Sequence, residues 1–345
     1  MLVMPAQPHT PDDAIVVDDL VKEYRSRGRR PAVRALDGLS FTVPAGRVFG
    51  LLGPNGAGKS TTTKILTTLS RPTSGRARVA GHDVSTGAGA VRAAIGYVSQ
   101  GTGTDPNLTA TENLEIAGRM RGLGSAEARS RTARLLAEFG LADAARRPVR
   151  TFSGGMRRRL DVATALVHRP QVIFLDEPTT GLDPEARAAM WAEIRRLSGE
   201  EALTVVLTTH YMEEADRLAD ELLLVNRGQA VAQGTPEQLK AALHGDAVRV
   251  TLIEPDPIAV RAAVSVVPGL RDVLVEAAGV DGLLVARTDD AASAVGAVIA
   301  ALDGAAIRYG QVAASHPTLD DVYLHFVGHS FGDAPAPALT EGVAA

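Results

Sequence analysis

The chain has 345 residues, 45% of them hydrophobic and 22% charged, which is the composition of a folded globule and excludes a disordered chain. Lys plus Arg total 36 against 40 for Asp plus Glu, and the resulting net charge of −4 argues against nucleic-acid binding by bulk charge. No cysteine is present, which rules out disulfides, thiol catalysis, iron–sulfur clusters and cysteine-ligated zinc.

The length suits one domain of about 200 residues or more with a smaller companion. No apolar run approaches the ~20 residues of a membrane-spanning helix. The opening stretch carries no Lys or Arg before Leu20 and contains Pro5, Pro8 and Pro11, so it lacks the regions of a signal peptide. The expectation is a soluble intracellular chain that reaches any membrane through a partner.

In chain order, residues 1–13 read as a disordered lead-in and Ala14–Val17 as a first strand. Val48–Leu52, Gly96–Ser99, Val172–Leu175, Thr204–Thr208 and Leu222–Val225 are apolar without polar alternation, as strands buried on both faces are. Helix-like segments separate them, which predicts an α/β domain over 14–245 with a mostly parallel sheet. A helical subdomain at about 105–167 interrupts it, with helices over Ala110–Arg121, Ala126–Phe139 and Gly155–Val167.

From 246 to 330 the order is βαββαβ, which predicts a small α+β domain of ferredoxin-like type. A last helix over Pro317–Phe326 carries an apolar stripe of Leu319, Val322, Tyr323 and Phe326, to be buried on its own domain or on a partner. Asp320 and Asp321 fall in its first turn, where the helix dipole favours negative charge. Residues 331–345 read as a disordered tail.

The sharpest motif is Gly53-Pro54-Asn55-Gly56-Ala57-Gly58-Lys59-Ser60, set between a buried strand and a helix over Ser60–Leu69. In that context it is a P-loop, the start of a nucleoside-triphosphatase fold. Its glycines let backbone N–H groups turn on an anion, and the helix N-terminus adds partial positive charge. Lys59 suits the β- and γ-phosphates, and the Ser60 hydroxyl, followed by Thr61, is a hard ligand for Mg²⁺.

A second element, Val172-Ile-Phe-Leu-Asp176-Glu177, brings two acids to the carboxyl end of a buried strand, where parallel sheets bind ligands. Asp176 can hold the metal through water and Glu177 can polarise an attacking water. The third, Thr151-Phe-Ser153-Gly154-Gly155-Met-Arg157, is a helix cap with exposed N–H groups: either a structural cap or a second anion site.

This third run resembles the signature motif of the ATP-binding cassette (ABC) proteins, and other matches follow in the family's order. Tyr24 corresponds to the aromatic residue stacked on adenine, and Gln100 to the Q-loop glutamine that touches the metal. Asp183, within Gly181-Leu-Asp-Pro184, corresponds to the D-loop at the dimer seam, and His210 to the switch histidine. The run Ser153–Asp161, Thr179–Pro184 and the tail Leu319–Leu324 are most similar to daunorubicin-resistance (DrrA-like) ATPases. Phe152 and Met156 depart from the usual Leu and Gln of the signature.

The resemblance implies an ATPase that dimerises over two Mg²⁺-ATP, with Lys59, Gln100, Glu177 and His210 catalytic and Ser153–Gly155 completing the partner's site. It further implies a separate transmembrane permease, drug efflux and a place on the cytoplasmic side of the membrane, with no nucleic acid expected. The alternative is a soluble ABC ATPase acting on ribosomes or DNA. Against it stand the single cassette and the lack of room for a long coiled coil.

Overall fold

The computed structural model describes residues 13–24, 32–101, 103–278 and 281–327. Asp13 already opens a strand, one residue inside the expected lead-in; the rest of that lead-in and the tail 331–345 lie outside the described residues. Two units divide between Gln233 and Gly234.

In the first unit β1 (Asp13–Tyr24) pairs antiparallel with β2 (Val33–Pro44), and β3 (Val48–Leu52) runs into α1 (Lys59–Leu66). Next, β4 (Ser74–Val79) and β5 (His82–Asp83) complete a four-stranded antiparallel sheet of order β2-β1-β4-β5. The chain continues through α2 (Ala88–Ala94) and β6 (Ile95–Val98) to the helices α3 (Ala110–Met120), α4 (Ser125–Glu138) and α5 (Gly154–Leu166). Then come β7 (Val172–Asp176), α6 (Pro184–Glu201), β8 (Thr204–Thr209), α7 (Met212–Leu218), β9 (Glu221–Asn226) and β10 (Gln229–Gly234).

The second sheet has the order β10-β9-β3-β8-β7-β6, and the run from β9 to β6 is parallel throughout. Every residue of β3, β7 and β8 is buried, because both faces are covered. Val48, Ile173, Leu175, Val205 and Leu207 share one core with Leu114, Leu136, Leu160 and Ile194 of the helices. On the other face Phe49, Leu51, Phe174 and Val206 pack with Ile65 and with Ile15, Leu36 and Phe41 of the antiparallel sheet. This layering aims the carboxyl ends of β3, β7 and β8 at the start of α1.

The antiparallel sheet was not legible as such, because β1 and β2 carry register shifts around Val17–Leu20 with Asp19 at φ 47° and Gly38 at φ 76°. A bulge of this kind breaks the period-2 pattern that would announce a strand.

The second unit begins with α8 (Pro236–Ala241), ahead of the boundary expected at 245; Thr235 and Gln238 form its capping box. There follow β11 (Asp246–Ile253), α9 (Pro257–Val264), β12 (Arg271–Ala278), β13 (Asp281–Thr288), α10 (Ala291–Gly304), β14 (Tyr309–Ser315) and α11 (Leu319–Val327). The strands make one antiparallel sheet of order β12-β13-β11-β14. Val248, Val250 and Leu252 pack with Val260 and Val264 of α9 and Val298 and Leu302 of α10. Ala247 and Val285 pack instead with Leu324 of α11. The apolar stripe of α11 is thus buried at Leu319, Val322, Tyr323 and Leu324, while Phe326 is only half-buried.

Candidate active site

The turn from β3 into α1 depends on two glycines. A Cβ at Gly53 would meet the Val225 carbonyl at 2.2 Å, and Gly58 caps α1 at φ 115°, a conformation closed to other residues. Lys59 is buried, and its Nζ donates to the carbonyl oxygens of Gly53 and, at 3.0 Å, Pro54. Burial pulls the Lys59 ammonium below its usual pKa, opposed by the charges of Glu177 and Asp176. Pro54 and Ala57 are buried and Thr61 half-buried, while Asn55, Gly56 and Ser60 are exposed at the loop's open side.

Asp176 ends β7, and its Oδ1 accepts from the Thr208 hydroxyl at 2.5 Å. Glu177 follows with φ 47°, its N–H donating to the Thr208 carbonyl at 3.1 Å and the Thr208 hydroxyl at 3.2 Å. The Glu177 Oε1 lies 3.1 Å from Nδ1 of half-buried His210, directly beyond β8. Parallel strand ends therefore gather Lys59, Asp176, Glu177 and His210 on one side of the sheet.

The remaining expected residues stand outside this bonded set. Ser153 caps α5 by accepting from the Met156 N–H at 3.2 Å, and Ser153 and Gly154 are exposed. Gly155 has a packing reason of its own, since a Cβ there would come within 2.9 Å of Ala186 on α6. Asp183 is the exposed N-cap of α6, accepting from Ala186 N–H at 2.8 Å. Tyr24 is 41% exposed, with the Lys22 ammonium 5.0 Å from its ring centre. Gln100 is exposed just after β6.

Three residues that carry the geometry were not singled out from the sequence. Thr208 is one. Arg158 of α5 is buried and donates to four carbonyls: Ser99 (2.6 Å), Asp176 (2.9 Å), Glu177 (3.3 Å) and Pro178 (2.9 Å). One turn on, Asp161 accepts from Gly103 N–H and the Thr104 hydroxyl, each at 3.1 Å. Burial raises the Asp161 carboxyl's pKa and lowers that of the Arg158 guanidinium. The available signal was an Arg and an Asp at i, i+3, the Asp being the one charged residue between Leu160 and Leu166.

Asp176 and Ser60 offer hard oxygens, yet among the described residues no group of three or more His, Asp or Glu could hold a metal unaided. That donor set fits Mg²⁺ shared with nucleotide phosphates, because this ion keeps several waters and takes only one or two carboxylates.

Residues 36–180 match the family described as ABC transporter. The chain is 47% identical over 317 residues to the daunorubicin resistance ATP-binding protein DrrA3 of Streptomyces coeruleorubidus, covering 92% of this chain and 96% of that protein. It is 42% identical over 323 residues to the daunorubicin/doxorubicin resistance ATP-binding protein DrrA of Streptomyces peucetius, covering 94% and 95%. A dimeric structure of an ATP-binding cassette in a post-hydrolysis state, with ADP and phosphate bound, superposes with a TM-score of 0.58 at 26% identity. It covers 64% of this chain and 98% of that one. These likenesses do not favour the ribosome- or DNA-acting alternative. A nucleotide loop after β3, a pair of acids at the end of β7 and relatives matched along nearly their whole length lead to one conclusion: this chain belongs to the ABC transporter family, as an ATP-binding, ATP-hydrolysing subunit of the daunorubicin-resistance type.

Proposed function

We propose that the chain pairs with a second copy over two ATP molecules and drives export of a drug-like or lipophilic compound through a separate membrane permease. The observation that carries the pairing is the division of the expected site. Lys59, Asp176, Glu177 and His210 are gathered within one chain, whereas Ser153 and Gly154 open α5 outward and bond to none of them. A helix start with exposed N–H groups is an anion site in search of a ligand held by another chain.

In this reading Lys59 leaves the carbonyls of Gly53 and Pro54 for the β- and γ-phosphates, and the N–H groups of the loop follow it. Mg²⁺ would be held by Ser60, Asp176 and Gln100 and would supply charge neutralisation on the phosphates. Glu177 takes a proton from water as its oxygen bonds to the γ-phosphorus, and the bond to the bridging oxygen of ADP breaks. His210 is held by Glu177 through Nδ1, which leaves Nε2 for a phosphate oxygen. Tyr24 would stack on the adenine and Asp183 would line the seam.

Among the described residues no helix is long and apolar enough to cross a membrane, and in this reading the route for cargo is the permease. The cargo class rests on the names of the relatives, one a daunorubicin and the other a daunorubicin/doxorubicin resistance protein. The test is the ATPase rate against protein concentration: a shared site gives a rate rising faster than linearly in dilute solution. Strict proportionality at every dilution contradicts it.

A further inference from the structure

We propose that Arg158 is a positioning residue for Glu177, holding the base's backbone in its left-handed conformation from the signature helix. The proposal rests on the reading of Glu177 as the general base.

A non-glycine residue at φ 47° occupies a sparsely populated region and stays there only where its surroundings impose it. On one side, the Glu177 N–H is fixed to Thr208 of β8. On the other, three consecutive carbonyls, those of Asp176, Glu177 and Pro178, converge on one guanidinium. Nε serves Pro178, and Nη2 serves Asp176 and Glu177. Oxygens of successive residues can point at one group only where the chain curls, and the curl is the positive φ. With its main chain held on both flanks, Glu177 is left to place its carboxylate against His210.

The remaining nitrogen, Nη1, takes the carbonyl of Ser99, next to Gln100. Asp161 grips Gly103 and Thr104 on the far side of Gln100. One helix therefore holds the base and both flanks of the Q-loop. That same helix begins at Ser153, the group offered to the partner's nucleotide, so a shift of α5 reaches Glu177 through Arg158. A lysine cannot substitute, because a single ammonium lacks the planar fork that spans carbonyls of separate segments.

The test uses the full chain with R158K and R158Q, alone and combined with E177Q. The expected result for R158K is a kcat lower by about 30- to 100-fold, up to the lower end of the ~10²–10⁴-fold that a positioned base contributes, because the base is displaced and not removed. KM and the ATP affinity measured by calorimetry stay within about threefold, because the P-loop is untouched. In the E177Q background, R158K leaves the residual turnover unchanged. A wild-type kcat in R158K overturns the proposal, as does an equal loss with and without Glu177. Failure of both Arg158 variants to fold assigns the residue to the fold and overturns it too. The base reading fails separately, on wild-type turnover by E177Q alone.

Discussion

The Oε1 of Glu177 and the Nδ1 of His210 stand 3.1 Å apart, closing a bridge between the ends of β7 and β8. These ends are neighbours because the two strands pair in parallel, with Asp176 opposite Thr208. Behind the bridge, the His210 ring lies 4.1 Å from that of Tyr211, and the Arg187 guanidinium lies 5.4 Å from the same tyrosine ring. Removing either member of the bridge therefore leaves the other supported by the sheet.

Replacing His210 by Ala should cut turnover by about 10²-fold or more while ATP affinity changes little, because the phosphate-holding loop is elsewhere. Calorimetry and steady-state kinetics on the same preparation separate the two. A large loss of affinity with an unchanged kcat would remove His210 from the chemistry.

Lys59→Ala should weaken ATP binding at least about tenfold, or ~1.4 kcal/mol. The pH dependence carries a sign. Burial depresses the Lys59 pKa below 10.5, and bound phosphates stabilise the ammonium, so binding raises it again. Affinity should fall as pH rises through the depressed value of the free protein. Titrations from about pH 7.5 to about 10 check this, and an affinity that climbs over that range contradicts it.

Asp161→Asn isolates a second titration. Burial holds the Asp161 carboxyl above 3.8, so the folded state binds a proton before the unfolded chain does. Its contribution is fully present below the unfolded value and is lost as pH rises through the folded one. Wild type should therefore gain stability relative to D161N as pH is lowered from neutral toward about 4 in urea unfolding. A gap that moves the other way rejects the assignment.

In the second unit, Asp321 is buried between Arg249, 2.7 Å from Oδ1, and the buried Arg287, 3.7 Å from Oδ2. It also accepts from the N–H and hydroxyl of Thr318, the residue just before α11. Asp321→Ala strands a guanidinium in the interior and should cost about 3–5 kcal/mol in urea unfolding. A loss below about 1 kcal/mol would mean water reaches Arg287 freely.

The sequence carried the site's near-neighbour parts and hid the distant ones. The P-loop and the Asp176–Glu177 pair lie within a few residues of their own strands, so pattern and spacing reveal them. β3, β7 and β8 stand out because burial on both faces makes them uniformly apolar. The C-terminal order was legible strand by strand, though the boundary was placed past the Thr235–Gln238 capping box that starts α8. By contrast, β4 reads Ser-Gly-Arg-Ala-Arg-Val and hides its two buried residues, Ala77 and Val79, among exposed polar ones. Arg158 and Thr208 act on groups 18 to 59 residues away, which no local pattern reports.

Everything in the proposed cycle depends on two copies enclosing ATP between Lys59 of one and Ser153 of the other. The most direct measurement is the solution mass of E177Q with Mg²⁺-ATP, across a dilution series, beside the same series for E177Q carrying Ser153→Arg. Twice the chain mass for E177Q, reverting to a single chain without nucleotide or with the arginine, is the predicted result. A single-chain mass for ATP-loaded E177Q at every concentration contradicts it.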